Sequence, residues 1–191
     1  MRIILASTSP RRRELLEGAG LQFEVIPSPA KEVHDESMFP EALCELNATI
    51  KAKDVAKEHP DAVVIGSDTL VFIDDTPLGK PVDLEEARSM LRRLSGRVHL
   101  VCTAVCITQQ HGPQCIFHDC TEVEFKELSD ANIQAYLDKV DPLDKAGAYG
   151  IQEHGDMLVE GIIGSFDTVM GLPVEPVLEI LEDWGAGWLD E

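Results

Sequence analysis

Positive charge is what this chain has least of: 16 Lys and Arg stand against 35 Asp and Glu, a formal net charge of −19. Binding to nucleic acid is built on basic side chains that neutralise phosphates, so an acidic field of this size argues against DNA or RNA as a partner. Long apolar runs are missing too. None approaches the roughly 20 residues of a membrane span. The first apolar run is too short for a signal peptide and leads into arginines rather than a cleavage site, so a cytoplasmic location is expected. Cys44, Cys102, Cys106, Cys115 and Cys120 form no Cys-x-x-Cys pair. Their number and spacing read as small core residues in a reducing compartment rather than as disulfides or metal ligands. The histidines show no metal spacing. Gly-x-x-x-x-Gly-Lys-Ser/Thr, Gly-x-Gly-x-x-Gly and His-Glu-x-x-His are all absent. Trp184 and Trp188 suit terminal packing better than a stacking platform, and Asn47-Ala48-Thr49 matches a glycosylation tripeptide by chance.

What is there suits one soluble domain of 191 residues, with 44% hydrophobic and 27% charged residues. Apolar patterning predicts strands at 2–6, 22–26, 62–73, 98–109, 115–126 and 157–163. The pair 98–109 and 115–126 brackets the turn-rich segment 110–114 and reads as a long hairpin. Helices are predicted at 10–19, 40–58, 83–94 with Asp83 as cap, 129–139 with an imperfect capping box at Ser129, and 173–183. Asp74 to Pro77 reads as a turn, and 182–191 as a solvated acidic tail. This order of elements favours an α/β or α+β domain with a bent, mostly antiparallel sheet and a cleft.

The sharpest local signal is Ile3 to Ala6 running into Ser7-Thr8-Ser9-Pro10-Arg11-Arg12-Arg13. Pro10 suits a first helical position, and Ser9 would then cap the helix through its side-chain oxygen. Three arginines in a first turn oppose the helix dipole unless an anion belongs there, which points to a polyphosphate. Positive charge is otherwise concentrated at Lys51, Lys53, Lys80 and Lys145, and a divalent cation could supply more.

A second signal lies in Ala62 to Val71, a buried-strand pattern interrupted by Gly66-Ser67-Asp68-Thr69. A carboxylate there is either bonded to neighbouring amides or held to bind metal or activate water, and the second reading is favoured. Gly66 would let a ligand approach the backbone. Asp144 to Gln152 mixes Lys145, Tyr149 and Gln152 with two glycines, as a plain loop or a ligand-facing one. Gly164 to Asp167 and Gly171-Leu172-Pro173 read as helix-start and turn chemistry.

Taken in order, Ser7-Thr8-Ser9-Pro10-Arg11-Arg12, Lys51-Ala52, Gly66-Ser67-Asp68-Thr69, Gly79-Lys80-Pro81, Leu94-Ser95-Gly96, Asp144 to Gln152 and Gly171-Leu172-Pro173 resemble the Maf, or septum-formation-inhibitor-like, nucleotide pyrophosphatases. The matches run from residue 3 to about 180. The resemblance implies a single domain over 1–191 with an elongated, two-lobed α/β fold, a bent mixed sheet and a central cleft, similar to the inosine-triphosphate pyrophosphatases. It also implies a metal-dependent hydrolase that splits a nucleoside triphosphate into monophosphate and pyrophosphate, and it leaves room for a homodimer. By position, Asp68 would be the base that readies water for the α-phosphorus. Ser7, Arg12, Lys51 and Lys80 would line the phosphate path, and Lys145 would be a further substrate-binding residue. Glu32 with Asp68 would hold Mg²⁺ or Mn²⁺, with Asp35 as a competing carboxylate.

Arg11, Thr69 and Gln152 occupy three positions that resemble the branch acting on dTTP and UTP rather than the one acting on 7-methyl-GTP. The Gln152 amide can donate to a pyrimidine O4 and accept from N3–H. The rival reading, a non-catalytic regulator of division or a DNA-binding protein, takes Ser-Pro-Arg-Arg as a minor-groove segment and is opposed by the net charge.

Overall fold

The computed structural model describes residues 1–35, 37–74 and 76–185. Seven strands form one sheet: β1 (Arg2–Leu5), β2 (Glu24–Val25), β3 (Ala62–Ile73), β4 (Thr76–Leu78), β5 (Val98–Thr108), β6 (Gln114–Phe125) and β7 (Val159–Ile163). Their order is β2-β1-β3-β5-β6-β7, with β4 on β3. The helices are α1 (Pro10–Gly18), α2 (Pro40–Glu58), α3 (Leu84–Leu94), α4 (Asp130–Leu137), α5 (Phe166–Met170) and α6 (Val174–Asp183). Among the described residues no helix is long and apolar enough to cross a membrane.

The sheet is mixed. β1 pairs in parallel with both β2 and β3. A parallel pair needs a crossover, and α1 and α2 serve as those connections. β3–β4 and β6–β7 are antiparallel. The stretch read as a turn at Asp74 to Pro77 is the tip of the β3–β4 hairpin, with Ile73 opposite Thr76. Asp74 takes a positive φ of 52° there, and Asp75 lies outside the described residues. So do Trp188 and most of the tail expected over 182–191.

The chain divides into two compact units. One comprises Met1–Asp68, Thr103–Asp119 and the chain from Gly171 onward; the other comprises Thr69–Cys102 and Cys120–Met170. Each has its own core. In the first, Ile3, Leu5, Leu16, Val63, Ile65, Val105, Ile107 and Leu181 pack together. In the second, Val71, Ile73, Leu91, Leu94, Val123, Phe125, Ile133 and Tyr136 do so.

Local chemistry accounts for the helix starts in the second unit. Asp83 accepts from the Glu85 and Glu86 amides at 2.9 and 2.8 Å, and Arg92 and Arg93 close α3 in the sense its dipole favours. Ala87, Met90, Leu91 and Leu94 give α3 one buried face at helical spacing. Ser129 and Asn132 form a full capping box on α4, because Asn132 serves in place of the usual Glu or Gln.

One cysteine expectation is overturned. Cys102 and Cys120 form a disulfide, with Cα atoms 4.2 Å apart, while Cys44, Cys106 and Cys115 stay as thiols. The cause is register. Gln109 N–H donates to the Pro113 carbonyl at 3.1 Å, closing a turn between β5 and β6 that sets Cys102 across from Cys120. The turn expected at 110–114 would have placed Cys102 two residues out of step.

Candidate active site

The first unit gathers one charged cluster around Asp68. The carboxylate sits midway along β3 and its residue is only 4% exposed. Burying a carboxylate is costly unless it is paired and hydrogen-bonded, and α2 supplies both partners. Lys51 Nζ donates to Asp68 Oδ1 at 2.7 Å, and Asn47 Nδ2 donates to Asp68 Oδ2 at 3.2 Å. Positions 47 and 51 lie one helical turn apart, so a single face of α2 covers both oxygens.

Gly66 explains how α2 comes so near. A Cβ on Gly66 would strike the Ala48 carbonyl oxygen and come within 2.7 Å of the Ala52 amide nitrogen. The expectation that a ligand approaches at Gly66 is therefore corrected: the backbone of α2 takes that space. Ala48, Ala52 and Ala56, spaced at four, are all fully buried along the same helix.

Lys51 also reaches Glu32 Oε1 at 2.7 Å and the Ser67 carbonyl at 3.4 Å. Its ammonium thus lies between two carboxylates. Of the two competing acidic residues, Glu32 is the one at the cluster. Asp35 is exposed and accepts from the Ser37 amide and hydroxyl at 2.9 and 2.6 Å, bonds that hold its carboxyl below the usual range.

The arginine-rich turn divides by role. Arg12 Nε donates to the Gly171 carbonyl at 2.7 Å, and its Nη1 to the Ser67 carbonyl at 2.9 Å and Ser7 Oγ at 3.3 Å. Burial lowers the Arg12 pKa from its ordinary value, and Asp68 acts in the opposite sense. Ser67 Oγ donates to the same Gly171 carbonyl at 2.9 Å. Arg13 instead forms an exposed pair with Glu17 at 2.6 Å. Arg11 is partly exposed beside them. Ser9 occupies the N-cap position but makes no side-chain cap bond. Its own amide donates to Ser7 Oγ at 3.1 Å, and the side-chain cap expected of Ser9 is not formed.

The remaining sequence candidates lie in the second unit. Thr69 follows Asp68 and is partly exposed, while Lys80 and Gln152 are exposed. Lys145 is buried, and its ammonium is held by the Asp141 carbonyl at 2.8 Å, Asp144 at 2.7 Å and Glu153 at 3.2 Å. The segment carrying Lys145 and Gln152 is tied from several sides. Gly147 N–H donates to the Gly79 carbonyl at 3.1 Å, beside Lys80. Gly150 N–H donates to Tyr136 Oη at 3.1 Å, and Tyr149 Oη meets His99 Nε2 at 2.7 Å. Gly147 and the buried Ala148 both take positive φ, 68° and 65°. Glycine takes that conformation freely, whereas at Ala148 the surrounding bonds must hold it.

Asp68 and Glu32 form an oxygen-only pair suited to Mg²⁺ or Mn²⁺. The Lys51 ammonium already stands between them, as a bridging cation would. Among the described residues no third carboxylate, histidine or cysteine joins the pair. Mg²⁺ commonly makes do with one or two carboxylates plus substrate phosphates and water, so the residues present fit. Asn47 was missed because it was read only as part of a chance tripeptide. Its place four residues before Lys51 on a helix was the signal available.

A buried carboxylate, a lysine, a second acid and an arginine-bearing helix start thus lie together in a mixed α/β protein. The chain matches the family of Maf-like proteins over residues 2–184 and belongs to that family. It is 52% identical over 183 residues to a protein of Akkermansia muciniphila named dTTP/UTP pyrophosphatase, covering 96% of each chain. A protein of the same name from Bacillus velezensis is 50% identical over 183 residues, again 96% of each. One from Aquifex aeolicus is 45% identical over 185 residues, covering 96% of this chain and 95% of that one. Among solved structures, the Staphylococcus aureus Ham1 protein shares the fold, with a TM-score of 0.52 at 15% identity over 96% of this chain and 100% of that one.

Proposed function

We propose that this chain is a nucleoside triphosphate pyrophosphatase. It hydrolyses dTTP and UTP in preference to other triphosphates, releasing the monophosphate and pyrophosphate through attack of water on the α-phosphorus. The names of its curated relatives support the activity. The observation that carries the mechanism is the buried Asp68 carboxylate gripped at 2.7 Å by a lysine that also holds Glu32.

In this mechanism Asp68 orients the attacking water and takes its proton, a role worth about 10²–10⁴-fold. Asp68, Glu32, Lys51 and Arg12 sum to no formal charge, so a triphosphate needs further cations to bind. Lys80 and Arg11 offer two, and Lys145 a third once its carboxylates let it turn outward. Mg²⁺ or Mn²⁺ held by Asp68 and Glu32 would supply charge neutralisation for the leaving pyrophosphate and acidify a bound water. Arg12, braced on Gly171 and Ser67, fixes a helix start, the end whose dipole favours an anion. Gln152 reads the pyrimidine edge by donating to O4 and accepting from N3–H.

A pyrophosphate-release assay over the common triphosphates and 7-methyl-GTP, with Mg²⁺ and with Mn²⁺, tests this reading. The expected result is the highest kcat/KM for dTTP and UTP. Preference for 7-methyl-GTP overturns the substrate assignment. Absence of release from every triphosphate, together with DNA binding at low salt, overturns the enzyme.

A further inference from the structure

We propose that Asn47 is a positioning residue that holds Asp68 and Glu32 at a set separation, acting through the backbone of Val33. This rests on the reading of Asp68 as the base and Glu32 as its partner carboxylate, and it extends that reading to a residue with no charge and no nucleophile.

Asn47 is 2% exposed, on the buried face of α2. Its side chain makes three bonds. Oδ1 accepts from Val33 N–H at 2.7 Å, while Nδ2 donates to the Val33 carbonyl at 3.1 Å and to Asp68 Oδ2 at 3.2 Å. A carboxamide has one carbonyl oxygen and two N–H donors, and here both donors are used. The Val33 amide needs an acceptor and the Val33 carbonyl a donor, so the orientation of the carboxamide is set by chemistry. In the reversed orientation its oxygen would face the Asp68 carboxylate.

Val33 directly follows Glu32 in a stretch without regular secondary structure. A loop carboxylate has no helix or strand to place it, so its position depends on what grips its neighbours. Asn47 grips both backbone groups of the adjacent residue and one oxygen of Asp68. Lys51, one turn further along α2, grips the other Asp68 oxygen and Glu32 itself. The two carboxylates are thus referenced twice to one rigid helix, once by charge and once by a neutral amide. Losing the amide removes the neutral half of this double reference and leaves the Lys51 half, on a residue that must also serve the phosphate chain. Aspartate at 47 keeps the acceptor for Val33 N–H but loses the donors. Leucine fills the space and loses every bond.

The test uses the full chain with dTTP and Mg²⁺, comparing the parent with Asn47→Leu, Asn47→Asp, Glu32→Gln, Asp68→Asn and the double variant Asn47→Leu/Glu32→Gln. Melting temperature and hydrogen exchange at the Val33 amide are followed without metal or nucleotide. Asn47→Leu and Asn47→Asp should each lower kcat by about 10- to 100-fold, the usual effect of losing a residue that orients a ligand. KM for dTTP should move by less than about threefold. In the Glu32→Gln background the Asn47→Leu effect should shrink below about threefold, because residues acting as a unit are not additive. Val33 exchange should quicken in Asn47→Leu before any metal is added.

A purely structural Asn47 would give the same fold-loss with or without Glu32, or losses in kcat and KM that track the melting temperature. Either result overturns the proposal, as does kcat within about threefold of the parent in Asn47→Asp. Turnover lost in Asp68→Asn but kept in both Asn47 variants overturns the role of Asn47 alone. Turnover kept in Asp68→Asn overturns the mechanism on which that role depends.

Discussion

Lys51 Nζ lies 2.7 Å from Asp68 Oδ1, with the two side chains 14% and 6% exposed. Breaking a buried pair by removing one partner is destabilising when it strands the other charge. Here the ammonium keeps Glu32 at 2.7 Å, so loss of the Asp68 charge leaves it compensated. Asp68→Asn should therefore fold, bind nucleotide and lose at least 10²-fold in kcat. Steady-state kinetics beside equilibrium nucleotide binding checks this, and activity within about tenfold of the parent would remove Asp68 as the base.

Gly66→Ala forces a Cβ into the backbone of α2 at Ala48 and Ala52. Backbone cannot swing aside as a flexible side chain can, so helix and strand must part. A loss of about 1–3 kcal/mol in stability is expected. Because Asn47 and Lys51 ride on that helix, kcat should fall by tenfold or more from misplacement alone. Denaturant melts paired with kinetics measure both.

Acid should weaken the second unit through His99. It is 3% exposed, and burial pushes its pKa down to about 4 from the ordinary 6.5. The folded chain therefore keeps His99 neutral while the unfolded chain takes up a proton below pH 6.5. Stability from this group is full above pH 6.5 and declines as pH falls towards 4, by on the order of 3 kcal/mol across that window. His99→Gln should flatten that part of the pH–stability curve in urea titrations. Among the described residues no partner meets His99 Nδ1, so the neutral ring with its proton on Nε2, donating to Tyr149, is the tautomer that leaves only a bare acceptor unpaired.

Thiol titration reads the β5–β6 link directly. The denatured, unreduced chain should show the three thiols of Cys44, Cys106 and Cys115, and the reduced chain all five. Reduction, or Cys120→Ser, should cost up to about 3 kcal/mol for a loop of this size. Denaturant unfolding with and without a dithiol checks the magnitude.

Patterning that depends on near neighbours was legible in the sequence. The 12-residue β3, the run from Pro40 to Glu58 and the Asp83 cap follow from periodicity and capping chemistry and appear as expected. β4 was hidden because Pro77 sits in the middle of a three-residue strand, which reads as a turn until its partner on β3 is known. The disulfide was hidden because an odd set of cysteines without a Cys-x-x-Cys pair reads as core thiols, and only the pairing of β5 with β6 shows that Cys102 and Cys120 meet. At the site, charge singled out Asp68, Lys51 and Arg12, and position in a familiar motif order pointed to Glu32. Asn47 carries no charge, so only the helix face it shares with Lys51 could have drawn notice. Gly66 was correctly seen as a place for close approach, but what approaches is decided by tertiary packing.

The Gly171 carbonyl accepts from both Arg12 and Ser67, so a group near the end of the chain braces residues laid down at its beginning. During synthesis the arginine turn and the strand leading to Asp68 leave the ribosome long before that acceptor exists. A nascent or truncated chain that stops short of Gly171 has these pieces without their clasp. Competence to act on a nucleotide should therefore appear abruptly once the segment carrying Gly171 can fold back, rather than growing with chain length.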